Sequence, residues 1–354
     1  MTDSIVKGTL DDYLSATYGG SANTSMANNM YGFNHRQTPS PIPLNKDRFG
    51  LTFFTRPQLN LHTDNIRNVR IFTPLLNKDP TSMQRIIRCL LDPRVQLGYP
   101  EIANKLDCPL VDNDQAFIPI LTNHIKSISG WPDLNLLTHD SKPGSYQEAW
   151  SQVDNFIENY TAYDIDVTFR NSRGDPIMLL FYAWEQYMSR VFEGSLIPYA
   201  DYISENQIDY MTRIYRLVLD VNKTRVQKIA ATGVSFPTSL PIGGYFDFSS
   251  DTPFNDSNND ITIKFKCLGA QYQDDILIDE FNKTVRVFNT SMSDKERPNM
   301  MTKIPYDLLP LFNHRGYPRI DTNTYELEWY VNKSYYSAKY NALKTLGFIN
   351  PYKT

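Results

Sequence analysis

Residues 209–272 read DYMTRIYRLVLDVNKTRVQKIAATGVSFPTSLPIGGYFDFSSDTPFNDSNNDITIKFKCLGAQY, and their pattern decides the fold class. Tyr210–Val221 predicts a long strand, and Val226–Ser235 a second. Asn222-Lys223 between them reads as a hairpin turn. FPTSLPIGG at 236–244 breaks the pattern, and 249–260 is a polar loop. Ile261, Ile263, Phe265 and Cys267 then alternate with Thr262, Lys264 and Lys266, the period of a half-buried strand. The stretch holds no recognisable set of catalytic groups.

Working backward, Ile165, Val167 and Phe169 alternate with Asp164, Asp166 and Thr168 as another such strand. Asp175 is placed to cap a helix that opens on Pro176. Ile177, Leu180, Phe181, Trp184, Met188, Val191 and Phe192 form its apolar stripe, and Gly194 ends it. FGLTFFTRP, from Phe49, is a strand stopped by Pro57. Met83, Ile86, Ile87, Leu90 and Leu91 recur at helical spacing before Pro93. Residues 116–129 predict one or two strands with a proline bulge, and 130–136 a turn and an extended segment. Working forward, ILIDEFNKTVRVFN predicts a hairpin turning at Asn282-Lys283. Residues 291–303 read as a linker, IPYDLLPLF as a short helical turn and YELEWYV as a strand. A terminal helix follows, with Tyr340, Leu343 and Leu346 on one side. Many short strands with few helices predict an α+β chain on an antiparallel sheet.

The 354 residues divide by composition into an arm over 1–45, a β domain over 46–290 and an extension over 291–354. The arm is rich in Asn, Ser and Pro and poor in aliphatics, so it builds no core and reads either as a disordered leader or as an arm that orders only against a neighbouring subunit. One short helix capped by Thr9 and Asp12 opens it. The net charge is −4, with an acidic middle, which argues against tight nucleic-acid binding. Three cysteines without a CxxC pair give no disulfide framework. No apolar run approaches the ~20 residues that span a bilayer, and MTDSIVKGTLDDYL lacks the apolar core of a signal peptide. Synthesis in the cytoplasm is therefore expected.

Chemistry-bearing patterns are absent. His35, His62, His124, His139 and His314 show no metal-ligand spacing. Asp256, Asn258 and Asp260 imitate a calcium loop, but Ile261 stands where glycine is needed and Cys267 where glutamate is needed. Asp274, Asp275, Asp279 and Glu280 form the densest acidic group, which reads as a solvated or inter-subunit cluster rather than an acid–base pair. Arg85, Arg88 and Arg94, like Lys223, Arg225 and Lys228, read as solvated or salt-bridging faces without interleaved stacking aromatics. No enzyme activity, cofactor, catalytic residue or metal site is expected.

The order of elements then matters. A strand ending in Phe169-Arg170 precedes the helix carrying Trp184. A later strand carries Gly233 and Pro237 before a loop, and Asn259–Phe265 closes the sheet. This resembles the tail tube proteins of contractile-tailed bacteriophages over residues 48–275, most of all their tube-initiator, baseplate-proximal relatives. The resemblance implies an antiparallel β-sandwich or barrel of the tail-tube type, with one packed amphipathic helix, an N-terminal arm and a C-terminal extension. It implies a structural virion protein forming hexameric rings at or near the baseplate, through which DNA is ejected without specific binding. Its partners are then itself in a six-fold ring, the adjacent tail tube, the baseplate hub and the sheath, with no membrane insertion of its own. The chain is longer than a minimal repeating subunit needs, which favours an initiator or adaptor over the major tail tube protein. In this reading Asp209–Asp220 and Arg225–Ser235 line the lumen, net acidic or neutral, and Ser249–Asp260 stacks rings. A reading from another class is a carbohydrate- or receptor-binding β-sandwich using Trp131, Trp150 and Trp329 as platforms.

Overall fold

A computed structural model of the chain describes residues 49–99, 105–155, 161–246, 250–251, 259–312 and 315–348. The expected N-terminal arm and its short helix lie outside these residues, as does most of the 249–260 loop.

Six strands make the main sheet. In chain order they are β1 (Phe49–Phe54), β2 (Ile125–Ser129), β5 (Ala162–Arg170), β6 (Ile214–Leu219), β7 (Val226–Ser239) and β8 (Asp260–Tyr272). A separate two-stranded hairpin pairs β3 (Thr138–Asp140) with β4 (Ser151–Val153). The sheet order is β1-β6-β7-β8-β5-β2, and every neighbouring pair is antiparallel. A smaller sheet joins β9 (Met301–Lys303), β10 (Tyr317–Ile320) and β11 (Leu327–Asn332) in the order β10-β11-β9. The principal helices are α1 (Met83–Leu91), α2 (Pro119–His124), α3 (Pro176–Glu193), α4 (Ile276–Phe288) and α5 (Lys333–Thr345). The chain is thus α+β on an antiparallel sheet, as its sequence predicts.

Two cores lie on opposite faces of the sheet, and strand alternation assigns them. Phe54 and Ile214 pack with Ile165, Val167, Phe169, Ile261, Ile263 and Phe265 beneath α3. Their chain neighbours Phe53 and Tyr215 point the other way, with Leu217, Leu219 and Ala231, against α4. Met292, Met301, Ile320 and Leu327 share that second core, so the C-terminal segment is packed onto the sheet.

One irregularity in β7 reconciles the two faces. Ala231 belongs to the α4 side, whereas Ser235, four residues on, reaches Cys267 Sγ on the α3 side at 3.2 Å. Regular alternation would keep them on one face. Between them Thr232 Oγ1 accepts from Ile214 N at 3.0 Å, doing the work of a backbone carbonyl. Gly233 sits at the crossing: a Cβ there would lie 2.6 Å from Leu268 O of β8. Gly269, beside it, has φ +72°. A local bulge of this kind twists the sheet and switches the buried face.

Several expectations need correction. Residues 276–288 form a helix, not a hairpin. Leu277, Ile278, Phe281 and Val285 are buried at helical spacing, and that face decides over the turn-like Asn282-Lys283. Residues 119–124 are helical, opened by Pro119 at the first position, and only 125–129 are extended. β7 does not stop at 235 but runs to Ser239, with Pro237 opposite Phe265. The bridge from β6 ends at Thr212–Ser235, so Pro237 sits beyond that partner and next to a register shift, where a missing N–H is tolerated. β6 itself is confined to Ile214–Leu219. Asp175 occupies the cap position at φ 50° but makes no side-chain cap; its carboxylate accepts from Asn171 Nδ2. Phe192 is 96% exposed and Leu346 69% exposed, so neither joins its helix's packed face. The stretch 291–303 carries a short helix, Arg297–Met300, and β9.

Candidate functional site

Of the basic residues grouped by sequence, Arg88 is buried, Arg85, Arg94 and Arg225 are half-buried, and Lys223 and Lys228 are exposed. Arg88 donates from Nε to Leu61 O at 2.8 Å and from Nη2 to Thr63 Oγ1 at 3.0 Å. Arg94 pairs with Asp201 at 2.7 Å and lies over the Tyr199 ring. Asp92 is fully buried at the end of α1, and its carboxylate accepts from Leu61 N, Tyr199 OH and Arg94 N. Arg85, Arg88 and Arg94 thus form no exposed cationic face.

Burial pushes the Asp92 carboxyl up to about 6, against the hydrogen bonds that favour its charge. The folded chain therefore holds this proton more tightly than the unfolded chain. The stabilising contribution is complete below the ordinary carboxylate range and is lost as pH rises through about 6. Lowering the pH from 7 to 5 is expected to favour wild type over Asp92→Asn by about 1 kcal/mol. Urea melts of both proteins at the two pH values measure it. An unchanged difference would remove Asp92 as the titrating group.

The acidic group also disperses. Asp274 accepts from Ile276 N at the start of α4, Asp275 from Tyr325 OH, and Glu280 pairs with Arg213 at 2.6 Å. Asp279 faces a 280 Å3 cavity with Arg286, Arg297 and Arg319. These arginines are neutralised within the chain by Asp294 and Glu328. Among the described residues no cluster of His, Cys, Asp and Glu converges to hold a metal. The cysteines are all buried, and burial pushes Cys89 up to about 12 and Cys267 up to about 11.

The three tryptophans pack against different neighbours. Trp131 meets Tyr272 edge-on with ring centres 6.1 Å apart, and Trp329 packs half-buried near Phe53 at 6.4 Å. Trp150 stands exposed on the β3–β4 hairpin, beside His139.

What remains distinctive is surface geometry. β2 and β1 end the sheet, each paired on one flank in the strand order. Part of the β1 flank is covered, since Ile118 N donates to Phe54 O. The β5–β8 face opposite α3 is open and polar. There Asp164 pairs with Lys266 at 2.9 Å, Thr168 meets Thr262 at 3.0 Å, and Asp166 and Lys264 are exposed. The carboxylates sit side by side on β5, and each lysine of β8 stands opposite one of them. The strands expected to line a lumen are largely covered instead: Tyr215, Leu217, Leu219 and Ala231 lie under α4, and Asp209 and Thr212 are buried. Arg216, half-buried, is left on the other face beside Thr52.

Sequence reasoning missed two features. One is Arg56, which is 4% exposed and buried among backbone carbonyls. An arginine just past a strand carries no sequence signal for burial. The other is the hairpin around β3 and β4. From Asp133 to Asp154 every side chain is exposed except Ser141, which is half-buried. Pro143-Gly144 was its available turn signal.

A family model described as "Putative phage tail tube protein" matches residues 7–349. No curated protein matches the sequence. Three structures determined by cryo-electron microscopy are similar. The anti-feeding prophage cap (AFP tube terminating cap) is 18% identical, covering 45% of this chain and 82% of that one, with a TM-score of 0.27. The PVC sheath–tube complex of an extracellular contractile injection system, in the extended state, is 16% identical over 45% and 82%, with a TM-score of 0.25. The PVC sheath/tube terminator of such a system, also extended, is 13% identical over 45% and 88%, with a TM-score of 0.24.

Proposed function

The chain belongs to the phage tail tube protein family, and on that premise we propose that it forms six-fold rings of the tube at or near the baseplate. As a family member it is a structural component of a phage tail and not an enzyme. The observation that carries the ring reading is the family match, which spans 7–349 and so includes the C-terminal segment packed onto the sheet. The sheet-ending position of β2, and of the part of β1 left uncovered by residues 117–118, is consistent with it, because unpaired sheet edges are tolerated when neighbours cover them. A heterologous contact that closes yields a ring, and stacked rings yield a tube.

In this reading the subunit is made in the host cytoplasm and joins the virion tail. Its partners are its own copies, the adjoining tube, the baseplate hub and the sheath. No helix among the described residues is long and apolar enough to cross a membrane. The open β5–β8 face is the better candidate for the channel wall, because α4 covers the strands first expected there. Its cross-strand Asp and Lys pairs balance in charge and give little net field, which suits passage of DNA without binding. This reading takes the chain as an initiator or adaptor rather than the repeating major tube subunit.

Negative-stain microscopy of the purified chain is expected to show closed rings. Immunogold labelling of intact particles is expected to mark one end of the tail. Label along the whole tube would transfer the chain to the major tube role. A monomer at every concentration would overturn ring formation.

A further inference from the structure

We propose that the chain's own segment 38–44, TPSPIPL, docks in a groove between β1, residues 109–123 and the β10–β11 pair. The contact is intrachain and needs no ring. The groove is a 500 Å3 cavity. Its walls include Phe53 and Phe117, with ring centres 5.0 Å apart, and Trp329, which is half-buried and 6.4 Å from Phe53. Pro109, Leu110 and Pro119 continue the apolar surface, and Leu110 is 60% exposed there. Two polar atoms interrupt that surface. Gln115 Oε1 and Thr122 Oγ1 are buried and have no hydrogen-bond partner among the described residues. Buried polar atoms in that state are costly until a partner meets them. Of the charged groups in the wall, Arg56 donates to Cys89 O and Leu90 O, Asp112 accepts from Tyr317 OH at 2.7 Å, and Arg315 is exposed to water. The groove therefore suits an uncharged occupant that carries apolar rings and backbone amides.

Sequence and reach identify the occupant. Residues 1–48 lie outside the described residues, and β1 follows them directly. Their last uncharged stretch, 37–45, reads QTPSPIPLN. Prolines at 39, 41 and 43 fix φ at about −65° and push Thr38, Ser40 and Ile42 toward extended backbone, so the sequence predicts a polyproline II strand. Aromatic-lined grooves recognise such strands at a low entropic cost, because the strand is extended before it binds. Each non-proline residue keeps an N–H and every residue a C=O, the groups that Gln115 Oε1 and Thr122 Oγ1 lack. The tether is long enough. Leu44 stands five residues before Phe49, a reach of up to about 18 Å. Phe53 lies about 14 Å from Phe49 along β1. The segment can thus fold back over the strand it leads into and lay its prolines against Trp329.

Thiol cross-linking in the full chain tests this. Cys89, Cys108 and Cys267 are buried, so introduced surface thiols react selectively. The variant Ser40→Cys/Leu110→Cys, treated with a short bismaleimide, is expected to give a cross-link within one chain, at a rate that dilution leaves unchanged. Adding Pro39→Gly/Pro41→Gly/Pro43→Gly keeps the tether length and is expected to slow that cross-link about fivefold or more, because the strand is no longer held extended. Circular-dichroism melts report that both variants are folded. Leu110 is exposed, so its replacement leaves the core intact. Equal rates with and without the prolines would overturn the docking, since the tether alone would then account for the contact. A product joining two chains would also overturn it, placing the segment on a neighbouring copy. Neither result bears on ring formation, and a chain that stays monomeric yet cross-links as expected would keep the docking while removing the ring.

Discussion

Arg56→Met is expected to lower the unfolding free energy by about 3–5 kcal/mol, because it strands several buried carbonyls at once. Helix α1 ends in a way that orphans its last acceptors. Cys89 O would ordinarily bond the N–H four residues on, but that residue is Pro93 and has none. Leu90 O would bond Arg94 N, which is already committed to Asp92 Oδ1 at 3.0 Å. The Arg56 guanidinium takes both, from Nη2 to Cys89 O at 2.6 Å and from Nε to Leu90 O at 3.0 Å. Its Nη1 gathers Asn113 O and Gln115 O at 3.1 Å each. One cation thereby caps a helix C-terminus, where the dipole favours it, and ties that end to the loop beneath β1. Burial pulls its pKa down to about 10, so it stays charged at neutral pH. Met keeps much of the volume and supplies no donor. Arg56→Lys keeps the charge but not the fork, and is expected to recover about half of the loss. Urea unfolding of the three proteins measures this, and a loss under about 1 kcal/mol for the Met variant would refute the capping role.

The contrast between what the sequence reveals and what it hides has physical causes. The alternation in β5 and β8 is legible because one face is buried and the other is wet. The stripe of α3 is legible because Ile177, Leu180, Phe181 and Trp184 all face one core. α4 is ambiguous: Ile276, Ile278, Val285 and Val287 fit a strand period, while Leu277, Phe281 and Val285 fit a helix. Only the packing of Phe281 against Phe117 and Tyr215 decides between them. Pro237 misleads because a proline is read as a stop, whereas its tolerance depends on which neighbour is present. Arg56 and the exposed hairpin are hidden for other reasons. The partners of Arg56 are distant in the chain, and strands of three residues are too short to show a period.

Trp184→Ala is the second large effect, expected at about 3–5 kcal/mol. Trp184 is fully buried and stacks on Phe181 with planes 5° apart and centres separated by 6.1 Å. Phe181 in turn meets Phe169 of β5 and Phe265 of β8 at 5.7 Å each. The indole thus completes the contact that seats α3 on the central strands. Its Nε1 also donates to Tyr210 O at 2.9 Å. One turn along the helix, Tyr187 OH donates to the Asp209 carboxylate. α3 therefore holds the lead-in to β6 at two successive residues, and through β6 it fixes the flank of β1. Trp184→Phe separates these contributions. It retains most of the apolar area, leaves Tyr210 O without its donor, and is expected to lose about 1–3 kcal/mol. An alanine variant no worse than the phenylalanine variant in urea melts would refute the packing account. Because the substitution lies inside this core, folded Trp184→Phe protein should, on the ring reading, assemble at the wild-type midpoint concentration.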